Sequence, residues 1–89
     1  MASFLVETYQ PDLGGSGFAR AVDSVREASE SLSREGTRVR HVRSYVMPGD
    51  EMCFHVFEAG SAEDVARVSE LAGIEVGRIV EAIGVRSEP

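Results

Sequence analysis

Residues 46–54, with the sequence VMPGDEMCF, constrain the fold of this chain more than any other stretch. An apolar β-branched segment leads into Pro48-Gly49-Asp50, and an aromatic segment follows it. Proline fixes φ, glycine accepts a positive φ, and aspartate can hydrogen-bond its own backbone, so this tripeptide is typical of a turn between two strands. The sequence therefore predicts a β-hairpin in the middle of the chain.

Helices and further strands are predicted on both sides of the hairpin. Apolar residues recur at helical spacing after Ser16 and after Ser61, and these segments end at Gly36 and Gly73. A loop is predicted over residues 10–15 because proline and a glycine pair break regular structure. Alternating apolar residues predict strands over residues 3–9, 37–47, 52–59 and 78–85.

The order of these elements, β-α-β-β-α-β, predicts an α+β fold of the ferredoxin-like type. Right-handed crossovers place both helices on one face of a four-stranded antiparallel sheet, in which the first and third strands are central. We expect a single domain over residues 1–86 and a frayed tail over residues 87–89.

The other face of such a sheet has no helices to cover it. Its predicted apolar residues are Leu5, Phe57, Ile79, Ile83 and Val85. An exposed apolar patch of this kind usually marks an interface, and a domain of 89 residues is small enough to gain stability by pairing. We therefore expect a homodimer of the dimeric α/β-barrel type, with the two sheets packed face to face.

Charge and cysteine content exclude several classes of partner. The net charge of −6 argues against nucleic acid and against anionic membrane surfaces, which both select basic proteins. Cys53 is the only cysteine, so no disulfide forms within the chain and a reducing compartment fits. No apolar run is long enough to cross a membrane. We expect a cytoplasmic protein.

A small-molecule ligand is predicted to bind on the uncovered sheet face. The residues predicted to contact it are Glu7, Tyr9, His41, Arg43, Tyr45, His55 and Glu81. This set depends on the hairpin, because a shift of one residue moves every side chain to the opposite face. A three-residue loop places Arg43 opposite His55, and a four-residue loop places Ser44 there. The shorter loop is favoured because it directs Val42 and Val46 toward the helices.

Each candidate also has a structural interpretation. Glu7, in the middle of a central strand, is interpreted as a ligand anchor or general base. The structural alternatives are an ion pair with Arg43 or Arg78, or an edge contact to the second copy of a dimer. His41 and His55 could hold a divalent metal with a carboxylate, but hydrogen-bonded strand histidines are the favoured interpretation. Cys53 is expected to behave as a small buried apolar residue, because no motif activates it.

Several segments together resemble a family of small single-domain proteins grouped with a bacterial nickel-binding protein. The segments that carry the resemblance are residues 4–7, 46–54, 57–61, 73–74 and 78–82. The resemblance implies a dimeric α/β-barrel fold. The nickel-binding member carries histidines at the end of its first strand, where this chain has Glu7-Thr8-Tyr9-Gln10. We therefore predict no tight nickel site and no bound cofactor.

Two functions remain open on the sequence alone. The first is a homodimeric binding protein that holds a small molecule, or less favourably a divalent metal such as nickel, in a cavity on the uncovered sheet face. The second is a cofactor-independent enzyme that uses Glu7, a histidine and a tyrosine for proton transfer on an apolar substrate. The first is favoured because no catalytic dyad is specified by spacing.

Overall fold

The computed structural model describes residues 1–10 and 16–87 and confirms the ferredoxin-like order of elements. The elements are β1 (Ala2–Tyr9), α1 (Ser16–Arg34), β2 (Val39–Met47), β3 (Met52–Ala59), α2 (Ala62–Ala72) and β4 (Val76–Ala82). The strands form one antiparallel sheet in the order β2-β3-β1-β4, so β1 and β3 are central as predicted. Most of the predicted loop before α1 and the last two residues of the predicted tail lie outside the described residues.

Both helices pack on one side of the sheet, here called the helix-covered face, and the opposite side is the helix-free face. The core on the helix-covered face combines Phe4 and Val6 of β1 with Val25 of α1 and Val65 and Val68 of α2. Capping fixes the start of α2, because the Ser61 hydroxyl accepts a hydrogen bond from the backbone N–H of Asp64 at 3.2 Å. None of the helices among the described residues is long and apolar enough to cross a membrane.

The hairpin turn is one residue longer than the sequence favoured. Pro48–Asp50 form a short 3-10 helix, and Glu51 follows in the left-handed conformation with φ of 52°. Met47 pairs with Met52, so the loop contains four residues and Ser44 lies opposite His55. The three-residue loop was favoured because it directs Val42 and Val46 toward the helices. It was wrong because the turn includes a fourth residue, Glu51, and a glutamate rarely adopts the positive φ found there.

The direction of the β3 side chains is the reverse of the prediction. Cys53, His55 and Phe57 are fully buried on the helix-covered face, whereas Phe54 and Val56 point to the helix-free face. The prediction was wrong because β3 carries apolar residues on both faces, so its alternation does not show which face is buried.

A bulge in β2 separates His41 from the residues that follow it. The pairing of β2 with β3 shifts between His41 and Arg43, with Val42 as the additional residue. His41 therefore lies on the helix-covered face opposite Phe57, while Arg43 and Tyr45 pair with residues of the helix-free face. The prediction that Val46 faces the helices is confirmed, because it pairs with the buried Cys53.

The last strand is shifted toward the N-terminus relative to its predicted span. It runs from Val76 to Ala82, and Ile83 and Val85 follow it with 84% and 88% of their surface exposed. Ile79 packs against the core on the helix-covered face, opposite Val6. Of the apolar residues predicted on the uncovered face, only Leu5 therefore occupies a strand position on it.

Candidate functional site

The helix-free face carries an apolar patch at the centre of the sheet. We define this apolar patch as Leu5, Phe54, Val56 and Val80. Leu5 pairs directly with Val56 on one side and with Val80 on the other, and Phe54 follows on the same face of β3. All four side chains are only partly buried, because no helix covers them. The exposed side chain of Tyr45 borders the patch, opposite Phe54.

Charged and phenolic side chains form a rim around this patch. Arg78 donates a hydrogen bond through Nε to the Glu7 carboxylate, and the Glu7 side chain is only 18% exposed. Of the two arginines considered as ion-pair partners for Glu7, Arg78 is the one that contacts its carboxylate. At the end of β1, the Tyr9 hydroxyl donates to Glu51 Oε2 at 3.1 Å, and this bond raises the pKa of Tyr9.

The sheet separates the predicted ligand contacts into two groups. Glu7, Tyr9, Arg43 and Tyr45 lie on the helix-free face as expected. The other three lie on the helix-covered face and are corrections: His41, His55 and Glu81. Their positions follow from the four-residue turn, the bulge in β2 and the pairing of Glu81 with the buried Phe4.

The two histidines instead belong to a polar chain, defined here as His41, Ser44, His55 and Cys53, of which His55 and Cys53 are fully buried and His41 and Ser44 partly buried. Ser44 Oγ lies 2.9 Å from His41 Nε2 and 2.7 Å from His55 Nδ1, so one hydroxyl links the two rings. His55 Nε2 lies 3.6 Å from the Cys53 thiol. Sequence reasoning did not assign Ser44 to a site, although the four-residue loop would have placed it opposite His55.

Burial keeps this polar chain uncharged at neutral pH. Burial, with a smaller contribution from the charge of His41, lowers the pKa of His55 to about 4. Burial also lowers the pKa of His41. A backbone hydrogen bond with Arg43 partly opposes this decrease, and the charge of Arg26 lowers the pKa further. A neutral imidazole ring can both donate and accept hydrogen bonds, so the uncharged forms of His41 and His55 are compatible with their contacts to Ser44.

The Cys53 thiol lies at the end of the chain in apolar surroundings. Burial raises the pKa of Cys53, and the Thr8 hydroxyl directly across the pair of strands partly offsets this rise. Thr8 Oγ1 is itself buried and has no hydrogen-bond partner of normal geometry among the described residues. The complete burial of Cys53 agrees with the expectation of a small buried apolar residue, and a buried, protonated thiol is a poor nucleophile.

No metal centre is formed by the part of the chain that the structure describes. Nowhere in residues 1–10 and 16–87 do three histidine, cysteine, aspartate or glutamate side chains converge as metal ligands would. His55 uses Nδ1 for Ser44 and turns Nε2 toward Cys53, and no carboxylate completes a set with them. The described residues therefore do not fit a divalent first-row metal ion.

Comparisons with known proteins identify a family from the sequence and a matching fold from the structure. A family model described as "Nickel responsive protein SCO4226-like" matches residues 12–82. A crystal structure of SCO4226 from Streptomyces coelicolor A3(2) superimposes with a TM-score of 0.73, covering 96% of this chain and 100% of that chain at 21% identity. At that identity the likeness shows the fold. None of the curated proteins compared with the chain matches it.

Proposed function

The chain belongs to the family of nickel-responsive SCO4226-like proteins, and on that premise we propose that it is a homodimeric binding protein. Two copies pack their helix-free faces together and enclose a cavity for a small molecule. The observation that supports this proposal is the apolar patch of Leu5, Phe54, Val56 and Val80, which lies at the centre of a sheet face without helices.

The shape of the molecule suits pairing through this face. The chain measures 40 × 34 × 20 Å, and its short dimension corresponds to one sheet and one layer of helices. The helix-free face is thus one of its two broad surfaces. A standard interface buries about 800 Å² of each partner, which is a modest share of the 5681 Å² of accessible surface of this chain.

The rim supplies polar contacts for a bound molecule. Glu7 and Arg78 form an ion pair beside the patch, and Arg43 and Tyr45 extend from β2 on the same face. The Arg43 guanidinium makes no hydrogen bond or ion pair within the described residues, so it is available to an acidic group. Small-molecule sites combine an apolar lining with a few polar groups, which is the composition of this face.

Charge reversal in the patch tests the proposal. Phe54→Asp is expected to shift the protein from dimer to a monomer of 9.6 kDa, because the interface would have to bury a carboxylate without a partner. The measurement is sedimentation equilibrium at micromolar concentration. The matched control is Leu71→Asp, which introduces the same charge at an exposed apolar residue of α2.

The two variants separate the possible outcomes. The proposal requires a dimeric wild-type protein, a dimeric Leu71→Asp and a monomeric, folded Phe54→Asp. A wild-type monomer, or a Phe54→Asp variant that remains dimeric, would contradict pairing through the helix-free face. Phe57, the residue expected at this interface from the sequence, is unsuitable for the test because it lies in the core.

The family description names nickel, but we predict that this chain has no tight nickel-binding site. Both of its histidines are hydrogen-bonded within the polar chain, and its first strand ends in Glu7-Thr8-Tyr9 without histidine. Calorimetric titration of the wild-type protein with nickel chloride is expected to give no stoichiometric heat at sub-micromolar affinity. Tight binding that is lost in His55→Ala would overturn this prediction.

The alternative function, a proton-transfer enzyme, is less well supported because its predicted residues lie on opposite faces of the sheet. It required Glu7 and a histidine in one pocket, but Glu7 pairs with Phe54 on the helix-free face while His55 pairs with Val6 in the core. The sheet lies between the two groups, so they cannot act on one substrate. The binding role is therefore the better supported function.

A further inference from the structure

A groove between helix α1 and the edge strand β2 has no part in the proposed function. It opens to solvent, has a volume of about 650 Å³, and is lined by Arg26, Arg34, Arg38, Arg40 and His41. We propose that this α1–β2 groove binds a small molecule with at least two negative charges, carried by phosphate or carboxylate groups.

The distribution of charge sets the groove apart from the rest of the chain. The protein has a net charge of −6, yet four of its nine basic side chains line this one groove. Glu30 is the one carboxylate among the lining residues. Basic side chains that line a concave site produce a local positive potential, which attracts small anions even when the protein as a whole is acidic.

Two of these arginines are free to bind a ligand. Arg26 forms an ion pair with Asp23, and Arg40 forms one with Glu58. The guanidinium groups of Arg34 and Arg38 make no hydrogen bond or ion pair within the described residues. Guanidinium groups bind phosphate and carboxylate in a two-pronged manner, so a pair of free arginines suits a ligand with two anionic groups.

The turn that joins α1 to β2 brings these two arginines to the same groove. Gly36, with φ of 99°, reverses the chain after α1, so that Arg34 at the helix end and Arg38 before β2 both line the groove. The backbone N–H groups of Gly36 and Thr37 donate to Ser33 and Leu32 at 3.0 Å each. These bonds satisfy helix-end carbonyls that would otherwise repel an anion.

The half-buried ring of His41 reaches the groove from β2. It packs against Phe57, with 5.4 Å between ring centroids, and its Nε2 is 2.9 Å from the Ser44 hydroxyl. The ring is therefore held in place beside the arginines and adds to the wall of the groove. The chain contains only two histidines, so the ring signals of His41 can be resolved by NMR and report on binding.

Titration with pyrophosphate and with citrate, at low ionic strength, tests the proposal. The probes share multiple negative charges but differ in chemistry, so the tighter one identifies whether phosphate or carboxylate is preferred. We expect saturable binding by calorimetry and a shift of the His41 ring signals in NMR spectra. The double substitution Arg34→Gln/Arg38→Gln should weaken binding by about 100-fold, or roughly tenfold for each guanidinium group removed.

Arg20→Gln is the control for the loss of a single positive charge outside the groove, because it lies on α1 about 21 Å along the helix from Arg34. It should change affinity by less than about threefold, as expected of general electrostatics. The proposal is overturned if neither probe binds below about 10 mM, a threshold weaker than the millimolar scale of weak small-ligand sites. It is also overturned if Arg20→Gln weakens binding as much as the double substitution. The test is independent of the dimer, since Phe54→Asp should retain the site.

Discussion

Phe57→Ala is expected to lower the free energy of unfolding by about 3–5 kcal/mol, because it leaves a cavity in the core. The Phe57 side chain is fully buried on the helix-covered face and packs against the His41 ring. Phe54, three residues earlier on the helix-free face, is only partly buried within one chain. Phe54→Ala should therefore cost only about 1 kcal/mol in the isolated chain, since little apolar surface leaves water on folding.

Urea unfolding at several protein concentrations distinguishes these two effects. The loss in Phe57→Ala relative to wild type should be the same at every concentration, because it arises within the chain. The loss in Phe54→Ala should grow with concentration, because the dimer adds to wild-type stability by mass action. A larger loss in Phe54→Ala than in Phe57→Ala at all concentrations would show that the side chains of β3 point the other way.

Acidification from pH 7.5 to about pH 4 should destabilise the protein through His55. In the unfolded chain this histidine takes up a proton near its usual pKa of 6.5, whereas burial holds its folded pKa at about 4. Both states are neutral above pH 6.5, so the stabilisation is complete there. As the pH falls, only the unfolded state binds the proton, and about 3 kcal/mol is lost by the time the folded pKa is reached.

His41 contributes in the same direction, because burial also lowers its pKa. The measurement is urea unfolding as a function of pH, together with NMR titration of the two histidine rings. His55→Gln removes the titrating ring and should flatten the dependence, even if the variant is less stable overall. A flat stability profile in the wild type, or a His55 ring that titrates near 6.5, would show that the ring is accessible to solvent.

The topology and the helix ends were predictable because their signals are local. In strand β1 the charged Glu7 lies on the face opposite Phe4 and Val6, so the buried face of the strand was assigned correctly. Ser61 and Gly73 mark the ends of α2 through a cap and a left-handed glycine, as their residue types indicate. Such features depend on a few neighbouring residues and do not require knowledge of the rest of the fold.

The site was only partly predictable because it depends on register. A glutamate, Glu51, takes the left-handed position that a glycine would signal, and the bulge at Val42 has no glycine or proline to mark it. Each feature moves side chains between faces. Glu7 and Tyr45 were placed correctly, but His55 was placed on the wrong side of the sheet, so the predicted ligand site combined residues from both faces.

Nuclear Overhauser effects between two copies of the chain provide the most direct test of the central claim, that the helix-free face is the binding surface. The sample is a mixture of isotope-labelled and unlabelled protein, filtered for contacts between copies. We predict contacts from the Phe54 ring of one copy to methyl groups of Leu5, Val56 or Val80 of the other. Contacts that involve α1 or α2 instead, or none at millimolar concentration, would contradict it.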